Sequence, residues 1–211
     1  MRGKRKKIGC LSLVLVLILT GCGGVEPEKK AYPLAVSYDY YDGKYEVIYG
    51  MADLPVLTGQ EKSGEGTGRE ESSGGEGSCF RAGSLEEIRT VYDFTQEYQL
   101  DLGHVQAVIF GKRLLSVEKQ MEKVLTELEQ NRELQGQVFV FAAEEPKKLM
   151  ALNGSSEDSV GNYLTGLYEN RETREKEPVT LSDLFYEWYN LGTLPELPEI
   201  DVAGEQIRLV Q

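Results

Sequence analysis

The chain is predicted to fold as an α/β domain, a mixed β-sheet flanked by helices. Three observations carry that expectation. Two runs that alternate apolar with polar residues stand on either side of an Asp-Gly pair. Two later runs, residues 105–110 ("VQAVIF") and 137–142 ("QVFVFA"), are short, apolar and rich in β-branched or aromatic side chains. Around them lie segments whose apolar residues recur every three or four positions. The order reads ββ, loop, αβαβ, then helices, and such alternation places helices against a sheet.

The first two strands are residues 34–40 ("LAVSYDY") and 45–51 ("YEVIYGM"), joined through "YDGK". Asp-Gly between alternating runs signals a hairpin, because Gly tolerates the positive φ that tight hairpin turns need. Residues 59–83 then carry eight glycines and almost no apolar side chains. Too little surface can be buried there to offset the entropy of ordering, so a disordered insertion is expected. Its glycines are no phosphate loop, since no GxxxxGK[ST] occurs.

Order resumes with "SLEE", where Ser84 is an N-cap and Glu87 stands at N3, the pattern of a reciprocal capping box. Leu85, Ile88, Val91, Tyr92 and Thr95 follow at helical spacing. The strand at 105–110 closes at Gly111. A helix with Val117, Met121, Val124, Leu125 and Leu128 on one face leads to the strand at 137–142. Pro146 opens a further helix through Leu152, at a position where its missing N–H is not needed. "SSEDSVGNYLTGLYEN" is expected to form a helix with Val160, Tyr163, Leu164, Leu167 and Tyr168 inward. The last helix, in "TLSDLFYEWYNLG", is capped by Thr180 with Asp183 at N3, and a proline-punctuated tail follows.

The start of the chain has a different character. Arg2, Lys4, Arg5, Lys6 and Lys7 precede an apolar run from Ile8 to Leu19. A basic n-region followed by a short apolar stretch is the layout of a secretory signal. That stretch falls short of the roughly 20 residues a spanning helix needs. It ends in Leu19-Thr20-Gly21-Cys22, a bacterial lipobox, whose small residues let the signal peptidase reach the bond before the cysteine. The expected organisation is a lipoprotein signal peptide at 1–21 and a lipid tether at 22–31. An α/β domain at 32–202 would hold the insertion, and residues 203–211 would be the start of a second domain or a tail. Lipid attachment falls to Cys22.

Removing residues 1–21 takes away five basic residues and no acidic ones, so 18 Lys and Arg face 35 Asp and Glu. A net charge near −17 argues against nucleic acid and against broad contact with an anionic bilayer. Attachment then falls to acyl chains such as palmitate, at about 0.8 kcal/mol per buried methylene. Cys10 leaves with the signal and Cys22 is acylated, so Cys79 has no partner for a disulfide.

No residue assembles into a catalytic, cofactor or metal site. His104 is the only histidine, and no G-x-S-x-G elbow or second metal-ligating residue accompanies it. It is expected to be a structural residue at a strand entry, bonded to nearby backbone. Glu86-Glu87 and Glu144-Glu145 lie at helix starts, where negative charge complements the macrodipole, and no calcium loop surrounds them. Phe185, Trp188 and Tyr189 are expected in the core with Tyr186 outside, although aromatics of this kind also populate binding surfaces.

In succession, the lipobox, "YEVIYGMAD", "DLGHVQAVIFGKRLL", "RELQGQVFVFAAEEPKKLM" and "PVTLSDLFYEWYNLGTLPELPEID" resemble the N-terminal domain of the Ger(x)C spore germination lipoproteins. These are the C subunits of nutrient germinant receptors. Where members carry a Trp-Asp-Arg-Glu-like stretch after the lipid cysteine, this chain has "GGVEPEKK", and members continue into further α/β domains. The resemblance implies a non-enzymatic subunit, lipid-anchored on the outer face of the inner spore membrane. It also implies docking with integral-membrane A and B subunits and no cofactor. The rival expectation is a lipid-anchored solute-binding or surface protein of a Gram-positive bacterium, unrelated to germination.

Overall fold

The computed structural model describes residues 27–51, 78–152, 159–169, 177–204 and 206–210. The signal segment, Cys22 and residues 59–77 of the predicted insertion lie outside them. The chain divides into a leading stretch through Lys30 and a body from Ala31 onward. In the leading stretch, Pro27–Lys29 form a single 3-10 turn.

The strands are β1 (Lys30–Ala31), β2 (Pro33–Tyr41), β3 (Lys44–Met51), β4 (Ser78–Ala82), β5 (Gln99–Leu100), β6 (Ala107–Gly111), β7 (Phe139–Ala143), β8 (Glu199–Ala203) and β9 (Gln206–Leu209). The helices are α1 (Leu85–Thr95), α2 (Lys112–Leu115), α3 (Glu118–Gln130), α4 (Pro146–Met150), α5 (Val160–Glu169) and α6 (Leu181–Leu191). A short ladder joins β1 to β5, with the Ala31 carbonyl accepting the Asp101 N–H at 3.0 Å. The main sheet runs β4-β3-β2-β6-β7-β8-β9. Its three central pairings, β2 with β6, β6 with β7 and β7 with β8, are parallel; those toward either edge are antiparallel. The predicted α/β class, a mixed sheet flanked by helices, is the one observed.

The hairpin of β2 and β3 turns at Asp42 and Gly43, both at positive φ (51° and 72°), which is the two-residue turn whose twist matches its strands. Strand β6 is buried along its whole length, as parallel strands covered on both faces are. Alternation then splits the core in two. Val36, Tyr38, Val47, Tyr49, Val108 and Phe110 face the layer of α1, α3 and α6, where Ile88, Met121, Leu125 and Leu184 meet them. Ala35, Ile48, Ala107, Ile109 and Phe141 face the other layer, against Leu149, Val160 and Leu164 of α4 and α5. Gly161 lets α5 approach the sheet: a Cβ there would lie 2.4 Å from the Leu34 carbonyl oxygen.

The caps follow their chemistry. Thr180 and Asp183 form the reciprocal box at the start of α6. At α1, Ser84 Oγ accepts the Glu87 N–H at 3.1 Å, but the Glu87 carboxylate reaches the N–H of Gly83 instead of closing on Ser84.

Three expectations need correction. The insertion was bounded at 59–83, yet residues 78–82 are strand β4, paired Val47 to Phe80 and Ile48 to Cys79. Phe80 and Ala82 are buried and Cys79 and Arg81 are not, so five residues contain enough alternation to complete the sheet beside β3. Residues 203–211 were expected to start a second domain or tail. Instead β8 and β9 pair antiparallel through Ala203 to Gln206, near Gly204 at φ 67°, and Ile200 and Ile207 join the core against α4 and α5. Tyr163 and Tyr189 were placed inward but are exposed; each carries a polar hydroxyl that reaches an acceptor, the Ile207 carbonyl at 3.0 Å and the Glu129 carboxylate at 2.6 Å. Phe185 and Trp188 do pack partly buried against the core, with Tyr186 outside.

Candidate functional site

Polar residues in buried strands mark the site. Asp39 of β2 and Glu46 of β3 are register partners, and both are buried, at 2% and 4% exposure. A buried carboxylate is costly unless bonded or paired. Asp39 takes the Tyr40 N–H at 2.8 Å and two guanidinium N–H groups of Arg113, one of them Nε at 2.9 Å. Glu46 accepts the Tyr41 hydroxyl at 2.6 Å, and that bond raises the phenol's pKa above its ordinary value. Both the Arg81 and Arg113 guanidiniums lie over the Tyr41 ring, 4.0 and 4.4 Å from its centroid. Arg81 also reaches Asp42 at 3.3 Å.

Local sequence explains the placement. Gly111 ends β6 and packs so closely on Asp39 that a Cβ there would lie 2.2 Å from its Oδ1. Lys112 and Arg113 follow at once, so both cations emerge at the carboxyl end of the parallel strands. Lys112 meets Glu199 of β8 at 2.7 Å, which raises its pKa, with Glu144 at 3.9 Å. Ligands of open α/β sheets gather at this end. Here the ends are tied by ion pairs that satisfy one another, and the cluster locks β2, β3 and β6 together. Sequence reasoning passed over it, although Ser37, Asp39 and Glu46 stand as polar residues inside strands with few other polar positions.

The residues singled out from the sequence fall elsewhere. His104 ends a 3-10 turn (Leu102–His104) and is exposed, one turn before the strand rather than at its entry. Its ring stands edge-on to Tyr32, centroids 4.9 Å apart at 77°. Asp101 does not orient it: the Asp101 carboxylate accepts the Gly103 N–H at 3.0 Å and caps the turn. Cys79 is a free, exposed residue of β4; desolvation around its sulfur, then the Glu46 carboxylate, push the thiol pKa up, away from reactivity. Glu87 caps α1 as described, Glu86 lies in its first turn, and Glu145 pairs with Lys148 at the start of α4. Among the described residues no group of three or more His, Cys, Asp or Glu is arranged to hold a metal ion. The lipobox residues Leu19, Thr20, Gly21 and Cys22 lie outside the described residues.

The outer helical layer shows a different feature. On α1, Phe94 is 85% exposed and Val91 stands three residues before it, with Tyr98 exposed just beyond the helix. On α6, Tyr186, Tyr189 and Leu191 are exposed. Among the described residues no helix is long and apolar enough to cross a membrane.

Fold and site together define an α/β domain whose polar cluster is engaged in structure and whose free features are surface side chains. A family model described as the spore germination protein N-terminal domain matches residues 23–202. The chain belongs to this family of spore germination proteins. No curated protein and no solved structure matches it. The match supports the resemblance drawn from the motifs and favours a germination role over an unrelated surface protein.

Proposed function

We propose that the chain is a membrane-anchored lipoprotein subunit of a spore nutrient germinant receptor, which acts by docking with integral-membrane A and B subunits. The family match over residues 23–202 carries this reading. The lipobox supports the anchor: cleavage before Cys22 and acylation of its thiol tether the domain to the outer face of the inner spore membrane. A net charge near −17 after removal of the signal keeps the body off an anionic bilayer while the lipid holds it near. Its role is contact, not catalysis. Phe94 on α1 and Tyr186 and Leu191 on α6 are the side chains offered to the partner subunits, since large exposed apolar groups concentrate binding energy.

Two strains test the reading. Cys22→Ala should move the protein from the membrane fraction to the soluble fraction, and deletion of the gene should slow germination toward at least one nutrient. A Cys22→Ala protein that stays with the membrane overturns the anchor. Deletion spores that germinate normally toward every amino acid and sugar tried overturn the receptor role.

A further inference from the structure

The carboxyl end of α1 joins an exposed apolar surface to uncompensated negative charge. Phe94 is 85% exposed, Val91 stands one turn before it on the same side of the helix, and Tyr98 is exposed just past the helix end. Asp93 and Glu97, both exposed, flank Phe94 in sequence. Here the helix carbonyls already concentrate negative charge, so a cation is the favourable residue. The last turn holds no basic residue, and among the described residues neither the Asp93 nor the Glu97 carboxylate has an ion-pair or hydrogen-bond partner. Nearby cations do not relieve them. Arg89 is committed to Glu127 of α3 at 2.6 Å, and Arg132, which shares with Asp93 the cleft between α1 and α3, makes no ion pair with it.

We infer that this end of α1 docks a cationic segment of a partner polypeptide, an arginine or lysine next to an apolar side chain. The apolar group covers Val91 and Phe94, and the cation meets the Asp93 and Glu97 carboxylates. The inference rests on the docking role proposed above and names the chemistry that the partner presents. A guanidinium would also stack on the Phe94 ring, as those of Arg81 and Arg113 lie over Tyr41 within this protein. Charge decides against the other occupants. A second copy would bring a net charge near −17 to an acidic face, and an anionic bilayer would repel the two carboxylates.

Photo-crosslinking in intact spore membranes tests it, with p-benzoylphenylalanine in place of Val91 in the full chain so that Phe94 is kept. The crosslinked peptide, read by mass spectrometry, should come from another protein and hold more Lys and Arg than Asp and Glu. Asp93→Lys with Glu97→Lys should lower its yield about tenfold, because like charges then face each other. Glu169→Lys with Glu177→Lys, the same charge change at exposed positions away from α1, should leave the yield within about twofold, since distant exposed charges are screened. The Asp93 and Glu97 double variant should melt no lower than the wild type, because a cation complements this helix end. A neutral or acidic crosslinked segment overturns the inference, as does a crosslink to a second copy or to lipid alone, or none at all. So does a yield that is equal in the two double variants, or a lower melting temperature in the first. A cationic segment from a protein other than the A and B subunits upholds the inference and refutes the receptor reading. Capture of those subunits with a crosslinked segment that is not cationic does the reverse.

Discussion

Replacing Gly111 with alanine introduces a Cβ 2.2 Å from Asp39 Oδ1, 2.3 Å from its Cγ and 2.9 Å from its Cβ. Real Cβ atoms do not come so close, and Asp39 has little room to yield. Its carboxylate is held by the Tyr40 N–H and by Arg113, and its backbone by the ladder to β3. The side chain must turn away and abandon the guanidinium while remaining buried. Breaking a buried pair so that one charge is left uncompensated costs about 3–5 kcal/mol. Arg113, about half exposed, recovers hydration and suffers less. Urea unfolding at neutral pH should therefore show a Gly111→Ala loss in that range. In the Asp39→Ala background most of the clash disappears, leaving only the 2.9 Å contact. The double variant should be more stable than the sum of the two single effects by about 1–3 kcal/mol. A Gly111→Ala protein within about 0.5 kcal/mol of the wild type, or strict additivity in the cycle, refutes the coupling.

Other substitutions sort by what lies in the way. Gly161→Ala meets the Leu34 backbone and should destabilise by about 1–3 kcal/mol in the same assay, whereas Gly136→Ala meets the Ser182 hydroxyl, a side-chain end that can rotate, and should cost well under that. Thr180→Ala opens the capping box of α6 and should lower stability by about 1 kcal/mol, measured by thermal or urea unfolding. The Tyr189 phenol, bonded to Glu129, has its pKa pushed up to about 12, and Glu129→Ala should return its phenolate absorbance transition toward 10. Because the folded pKa lies above the unfolded one, this bond's contribution is fully present below pH 10 and is lost as pH rises toward 12.

The legible parts of the fold were those where a local rule and the tertiary context agree. Asp42-Gly43 announced the hairpin because only a few residue pairs adopt two successive positive φ values. "VQAVIF" announced β6 because a strand covered on both faces has little use for polar residues, although the strand itself starts at Ala107. Thr180 and Asp183 announced α6 through chemistry confined to four residues. The strand β4 escaped because glycine and serine surround its five residues, and its alternation is meaningful only once β3 lies beside it. The hairpin of β8 and β9 escaped because the prolines before it suggested a tail, although Ile200, Val202, Ile207 and Leu209 alternate around Gly204. The polar cluster was the least legible. Asp39 and Glu46 lie seven residues apart, Arg113 far beyond, and only the register of β2 with β3 and β6 unites them. His104, by contrast, was conspicuous through rarity alone, and its ring rests on Tyr32 at the surface.

Docking with the receptor's integral-membrane subunits is tested most directly by affinity capture of the tagged chain from detergent-solubilised spore membranes, with the retained proteins identified by mass spectrometry. The wild-type chain should retain A- and B-type subunits, and Phe94→Asp with Leu191→Asp should release them while the protein stays folded and membrane-bound. Retention of neither subunit by the wild-type chain would contradict docking as its function.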